Sequence, residues 1–456
     1  MLTLSLGQFV EHLSANNIPK EAMSIARRGF IDTIGTMIAG RYEETPQILR
    51  NTLKPPNGEA TLYFSDQHAQ APEAAWINGT AAHVLDYDDE ALCGHPSAVL
   101  VPAILAEAEA LDSPGIDMLV AYIGGYETWA ELCNREPGVH HEKGWHPTSV
   151  YGPVAAAAAC SILRRLDAKR ASHALAIAAS QCGGLAANFG SMTKSFHAGH
   201  SAFAGIMSAR LAAGGFTGQL DAIEHPRGFL TAFSPRGEVD RMSEAKDLGK
   251  TWRILKTGLN IKRYPACYCT SRAIDSMLQL AVAEQIDPEQ VEEITISISD
   301  GYAGILRNHT PQTGLEAKFS IEFVMSCAIV ARAVTLNELT DEFVLRKDVQ
   351  SLIRKVKVSK DVERDPHLAY GAAVYDQAHV RLRSGAELHG PQVRRPYGHA
   401  ENPLDDTELF NKFKACLRAG KATVTPEHLF EQLQSLEQTR ARALTKLPDL
   451  SAQLGQ

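Results

Sequence analysis

Apolar residues recur at helical spacing through the first half of the chain. Phe9, Val10 and Leu13, then Ala22, Ile25, Ala26, Phe30, Ile31 and Ile34, return every three or four positions. That period puts side chains on one helix face. The stretches 103–111, 153–166, 173–187 and 199–214 are rich in Ala and Leu. Ala has the highest helix propensity and lets helices approach closely, so these segments predict helices buried on most sides. The pattern changes near Lys256-Thr257-Gly258-Leu259-Asn260. After one more helical run, 271–285, alternation with period two appears in 291–298, and 356–358 and 379–383 look similar. Period two predicts half-buried strands, and Ser384-Gly385 predicts a hairpin turn. An apolar helical run at 319–333 lies between them, and helices return at 405–417 and 426–444. The expected fold is mainly α: a discontinuous helical domain over 1–258 and 396–456, interrupted by a smaller α+β domain over 259–395. There is no internal repeat.

Bulk composition narrows the class. At 456 residues the chain is too long for a single ordinary core. Hydrophobic content of 45% and charged content of 21% are ordinary for a globular protein. A net charge of -8 argues against a general nucleic-acid binder. It leaves room for an anionic substrate, because a local group of cations can outweigh the global sign. The eight cysteines are scattered and form no CxxC, which reads as buried thiols in a reducing compartment rather than a disulfide framework. The first lysine is Lys20 and Glu11 interrupts the early apolar residues, so no signal peptide is expected. The longest apolar stretch, 150–163, contains Gly152 and Pro153 and is too short to span a bilayer. A cytoplasmic protein without membrane or nucleic-acid partners is expected.

The chemistry concentrates in three places. Residues 83–95 hold His83, Asp86, Asp88, Asp89, Glu90 and His95, followed by Pro96 and Ser97. Carboxylates in such apolar surroundings need partners if they are buried. His83, Asp86 and Asp89 are spaced by three and share a face if this is a helix end. A carboxylate beside an imidazole orients it for acid/base work. A solvated acidic loop and a metal site are the alternatives, although no recognised metal-ligand spacing is present. His146-Pro147 opens an Ala-rich helix much as His95-Pro96 does, and two such N-termini could face one anion. Lys194 lies between apolar helices, where it could neutralise a carboxylate or sit in a surface turn. His197 and His200 read equally as caps of the next helix. Lys262, Arg263 and Arg272 flank the expected domain boundary and suit carboxylate binding there. Cys267 and Cys269 read as small buried residues or a nucleophile. GxGxxG after a strand, Walker A, HExxH and GxSxG are all missing, which disfavours nucleotide and nicotinamide enzymes.

These clusters, in this order, resemble the MmgE/PrpD family, which includes 2-methylcitrate dehydratase, cis-aconitate decarboxylase and iminodisuccinate epimerase. The matching segments run from 31–40 through 78–89, His95-Pro96-Ser97, Gly144-Trp145-His146 and Met192-Thr193-Lys194 to 214–218, Lys262-Arg263-Tyr264-Pro265, 316–320 and Asn402-Pro403. The resemblance implies a large helical domain, a smaller α+β lid, a homodimer, a site between the domains and no obligatory cofactor or metal. Carried over by motif, the family's active-site positions fall on Asp86, His95, His146, Lys194 and Lys262. Glu90 stands where decarboxylase-like members place Thr. Cys267 stands where they carry His, and many members carry His at the position of Ser271. The Ala266-Cys267-Tyr268 run and 188–194 look closer to the epimerase-like branch.

The expected function is that of a lyase on a small di- or tricarboxylate, starting with removal of a proton next to a carboxylate. His95 and His146, oriented by Asp86, are the expected base and acid. Lys194 and Lys262 clamp substrate carboxylates, with Glu90, Arg263, Cys267 and Arg272 completing the binding shell. The family favours dehydration of a 2-methylcitrate-like acid. Dicarboxylate epimerisation, cis-aconitate-like decarboxylation and a helical binding protein without activity are the alternatives.

Overall fold

The computed structural model describes residues 1–137, 140–360, 362–365 and 372–445. The first half is helical: α1 Leu2–His12, α2 Lys20–Gly40, α3 Glu44–Leu53, α4 Ala71–Val84, α5 Pro96–Leu111, α6 Gly115–Cys133, α7 Pro147–Leu163, α8 Ala168–Ala179 and α9 Met192–Ala213, then the short α10 Phe229–Phe233 and α11 Arg253–Thr257. A two-stranded antiparallel ribbon, β1 Ala60–Leu62 and β2 Gln67–Ala69, sits between α3 and α4. Its strands are too short to show a period, so the sequence pattern did not reveal them. One hydrophobic core joins residues from Leu2 to Ile261 with residues from Leu404 to Leu444. A second core runs from Tyr264 to Val380.

The second core is built on α12, Ser271–Ala283, and on β3 Val291–Ser297, β4 Val356–Ser359, β5 Gln377–Leu382 and β6 Glu387–His389. The strand order is β4-β3-β5-β6, with β3 and β4 parallel and the other pairs antiparallel. In β3, Ile294 and Ile296 point inward on the even phase, but Val291 is buried on the odd phase. A register shift between Val291 and Glu293 reconciles the two: the bulge turns Val291 back into the core. Overall the protein is mainly α, and among the described residues no helix is long and apolar enough to cross a membrane.

Two departures from the sequence pattern matter for the site. The helix anticipated over 173–187 ends at Ala179. Gly184 takes φ +110°, a conformation open to glycine, and turns the chain back onto α7. Pro153 lies inside α7 and has no N–H to give the Ser149 carbonyl. That carbonyl instead accepts from Gly183 N at 3.1 Å, and Gly184 O accepts from His146 N at 3.0 Å. The proline thus fixes the returning loop beside His146.

Helices α4 and α9 touch through glycines. A Cβ on Gly199 would stand 2.1 Å from Trp76 O, and one on Gly79 would stand 2.9 Å from the Gly199 Cα. No side chain fits there without parting the helices. This close approach carries the C-terminal end of α4, with Asp86, alongside the first turn of α9, with Lys194.

Candidate active site

Asp86 follows α4 in the left-handed conformation, φ +51°, with its N–H donated to His83 O at 3.0 Å. Asp tolerates this region better than most residues. The turn aims the carboxylate into the protein, where it is buried. Lys194 Nζ donates to Asp86 Oδ1 at 2.7 Å. Lys262 Nζ lies 3.1 Å from the same oxygen and donates to the Asp86 carbonyl at 2.8 Å. Lys194 also sits over the rings of Phe189 (5.5 Å) and Phe319 (5.3 Å), which both pack on the second core. The two ammonium groups hold the Asp86 carboxyl well below the usual range, against burial, which pushes the other way.

His95 caps α5 and is oriented by Asp88, not by Asp86. Its Nδ1 lies 3.0 Å from Asp88 Oδ2 and 3.0 Å from the Asp89 carbonyl oxygen. Both are acceptors, so Nδ1 carries the proton and Nε2 presents a lone pair. Nε2 faces the cavity, 3.9 Å from Asp86 Oδ1. The other Asp88 oxygen accepts from His83 Nδ1 at 2.9 Å. The His83 and His95 rings stand 4.3 Å apart, and the His83 and His146 rings 6.1 Å apart. His146 caps α7, and its Nδ1 is 3.1 Å from His197 Nδ1. Burial first, with Asp88 opposing and Lys194 reinforcing it, lowers the His95 pKa; burial and Lys194 hold His146 well below the usual range. Near neutral pH these imidazoles are uncharged and able to accept protons.

A cavity of about 430 Å³ opens between the two cores. Asp86, Glu90, His95, His146, Lys194, Lys262 and Cys267 all line it. Glu90 is tied to Asn260 by a two-way backbone bridge and by Asn260 Nδ2 donating to Oε2 at 2.8 Å. Burial raises its carboxyl above the usual range, so it holds a proton more readily than a surface Glu. Two residues expected in the binding shell lie elsewhere. Arg263 is exposed and stacks on Tyr264 and Tyr397. Arg272 is buried within the second core, where it pairs with Asp376 at 2.8 Å and donates to Ala373 O at 2.7 Å. Neither lines the cavity.

The sequence reading missed several contributors. Asp88 was visible in the acidic run, but no spacing rule separates it from Asp86 and Asp89. Asp89 points away from the cavity, and burial beside Asp32 raises its carboxyl strongly. His141 lines the cavity, and burial next to Lys194 brings it down to about 3. Lys318 and Lys412 hold the loop from outside, donating to Val84 O at 3.0 Å and Tyr87 O at 2.7 Å. They satisfy carbonyls left open where α4 ends.

One set of donors could in principle hold a metal ion: His83, Asp86, Asp88 and His95, with ligand atoms within 4.8 Å of one another. The set does not suit one. Asp86 is already neutralised by two ammonium groups, and Asp88 is engaged by both imidazoles. A cation placed there would meet two lysines at close range. The wiring favours proton transfer beside an anion-binding pair.

Comparison with known proteins agrees in extent. The profile of the MmgE/PrpD N-terminal domain matches residues 4–242, and that of the MmgE/PrpD C-terminal domain matches residues 264–436. The chain is 26% identical over 452 residues to the cis-aconitate decarboxylase of Mus musculus, covering 96% of this chain and 91% of that protein. It is 27% identical over 450 residues to the Homo sapiens cis-aconitate decarboxylase, covering 96% and 92%. The Aspergillus terreus cis-aconitate decarboxylase is 24% identical over 480 residues, covering 99% and 94%. The chain belongs to the MmgE/PrpD family.

Proposed function

We propose that this MmgE/PrpD-family chain is a lyase acting on a small polycarboxylate, and that its reaction is decarboxylation of a cis-aconitate-like acid. One observation carries the reading. His95 is backed by Asp88 and presents Nε2 to a cavity in which Lys194 and Lys262 converge. The full-length similarity to cis-aconitate decarboxylases favours this reaction over dehydration.

The lysines fix substrate carboxylates by charge. The leaving carboxylate faces the apolar wall of Leu92, Phe189, Ile305 and Phe319, where it loses hydration. The bond from carbon to the leaving carboxylate breaks and CO₂ departs. The electron pair spreads through the neighbouring double bond toward a second carboxylate held by lysine. One proton is consumed. His95 takes it up on Nε2, Asp88 stabilises the imidazolium, and His95 delivers it to carbon.

Glu90 supports a second reading, loss of water. A carboxyl that keeps its proton can protonate a leaving hydroxyl while His95 removes the carbon-bound proton. The decarboxylase-like pattern has Thr at this position and His at Cys267; Glu90 supports loss of water, while the Ala266-Cys267-Tyr268 run is closer to the epimerase-like branch. Purified protein incubated with cis-aconitate, 2-methylcitrate, citrate and iminodisuccinate in D₂O, followed by NMR and CO₂ detection, separates the cases. CO₂ with one deuterium in the product supports decarboxylation. Loss of water from a hydroxy acid supports the second reading, and exchange without net loss supports epimerisation. No turnover of any acid overturns the lyase proposal.

A further inference from the structure

Four cysteines, Cys93, Cys133, Cys267 and Cys269, line the candidate substrate cavity, and none is in a disulfide. Cys133 is a spectator. Its thiol faces Leu92 O at 3.6 Å, and its pairing with Cys93 and its burial keep it protonated. Cys267 is placed differently. It immediately precedes the 3-10 turn Tyr268–Thr270, which runs into α12. Its N–H donates to Lys318 O at 2.9 Å, and its carbonyl accepts from Thr270 N at 2.9 Å and from Thr270 Oγ1 at 2.7 Å. The sulfur is therefore held on fixed backbone. Its neighbours are the Cys269 thiol and the Lys262 ammonium; the Cys269 hydrogen bond foremost lowers its pKa and Lys262 adds to this, although burial and the Asp86 carboxylate oppose them. A thiol beside a lysine and a second thiol is the setting in which cysteine becomes nucleophilic.

We propose that Cys267 is a covalent modification site within the cavity, taken by small α,β-unsaturated carboxylates. The ligand class rests on the polycarboxylate reading above. A carboxylate held at Lys262 brings the adjoining double bond toward the Cys267 sulfur. The thiol gives its proton to solvent, the sulfur forms a bond to the β-carbon, the π pair moves to the α-carbon, and that carbon takes one proton from solvent. No group leaves and no oxidant is needed. The adduct fills the cavity and blocks turnover.

The test uses the full chain with maleate, a cis-unsaturated dicarboxylate, and reads adducts by intact mass and peptide mapping. Succinate serves as the saturated competitor and iodoacetamide as a neutral electrophile. Cys182, half-buried outside the cavity, is the internal control. Expected are one maleate adduct on Cys267, forming roughly tenfold faster than any on Cys182, slowing under succinate, and absent from folded Cys267→Ser. Maleate adding equally to folded Cys267→Ser, or landing on Cys93 or Cys182 instead, overturns the inference. If succinate stabilises the protein while Cys267 resists both reagents, the modification site is refuted and the carboxylate reading stands. If iodoacetamide labels Cys267 but maleate does not and succinate neither protects nor stabilises, the carboxylate reading fails with it.

Discussion

Asp88→Asn exchanges one carboxylate oxygen for an NH2 group and tests the wiring of the site. Asp88 is fully buried and accepts from His83 Nδ1 at 2.9 Å and from His95 Nδ1 at 3.0 Å. The amide keeps the shape but brings a donor where both rings now donate. At least one imidazole must then change tautomer or lose its partner, and the imidazolium that His95 forms on taking up a proton loses the charge of Asp88. A hydrogen bond to a charged group contributes about 1.5–3 kcal/mol. Loss of a general acid/base costs on the order of 10²- to 10⁴-fold, or about 3–5 kcal/mol in the barrier. Asp88 does not line the cavity, so substrate binding is not its task. The expected result is a fall in kcat of that size with KM nearly unchanged. Steady-state kinetics on the converted acid, with a thermal melt to show the fold intact, gives the answer. A folded variant that keeps kcat within about threefold, or one whose loss lies wholly in KM, refutes the assignment.

Other perturbations separate the remaining roles. Lys194→Met leaves Asp86 with Lys262 alone and removes a carboxylate clamp; kcat/KM falls by about 10²-fold or more, and dicarboxylates lose their stabilising effect in thermal shift. Gly199→Val wedges α4 from α9; calorimetry or denaturant titration shows a loss of at least about 1–3 kcal/mol, with activity falling as Lys194 and Asp86 part. Arg263→Ala leaves kcat and KM unchanged because the side chain is outside the cavity, whereas Arg272→Met strands the buried Asp376 and costs about 3–5 kcal/mol of stability in chemical denaturation. The buried histidines and the depressed carboxyls lose their stabilising effect on acidification in two phases. His83 and His141 titrate at about 3 and His197 at about 4 in the folded protein, below the ordinary value of about 6.5. The unfolded chain therefore binds protons first at these positions, and the histidines withdraw stability as pH falls from about 6.5 toward 4, against the raised carboxyls of Asp89 and Glu90, which act in the opposite sense. The depressed carboxyls of Asp86 and Asp88 stabilise fully above about 3.9, and their contribution is lost only below that. A folded His141→Gln variant that loses as much melting temperature between pH 7 and pH 5 as the unaltered protein contradicts the neutral-imidazole assignment.

The periodicities carried much of the architecture. Ala- and Leu-rich runs became α5, α7, α8 and α9, and the alternation at 291–298 became the central strand β3. The pattern failed where tertiary contacts decided. Pro153 stays inside α7 because Gly183 supplies the missing donor, and the helix after α7 stops at Ala179, ahead of the turn at Gly184. At the site, residue types pointed to the right neighbourhood, but not to the pairings. Asp86 and Asp88 are indistinguishable in sequence. Only the left-handed turn at Asp86 sends one carboxylate to the lysines and the other to the histidines. Arg263 and Arg272 looked like binding cations because their charge was visible and their direction was not.

The central claim is that His95, backed by Asp88, moves the proton at a polycarboxylate held by Lys194 and Lys262. Product formed in D₂O by His95→Gln and by the unaltered protein tests it most directly. The account predicts carbon-bound deuterium from the unaltered protein, and loss of turnover in the variant while dicarboxylate binding persists. A folded His95→Gln protein that labels its product at an undiminished rate contradicts it.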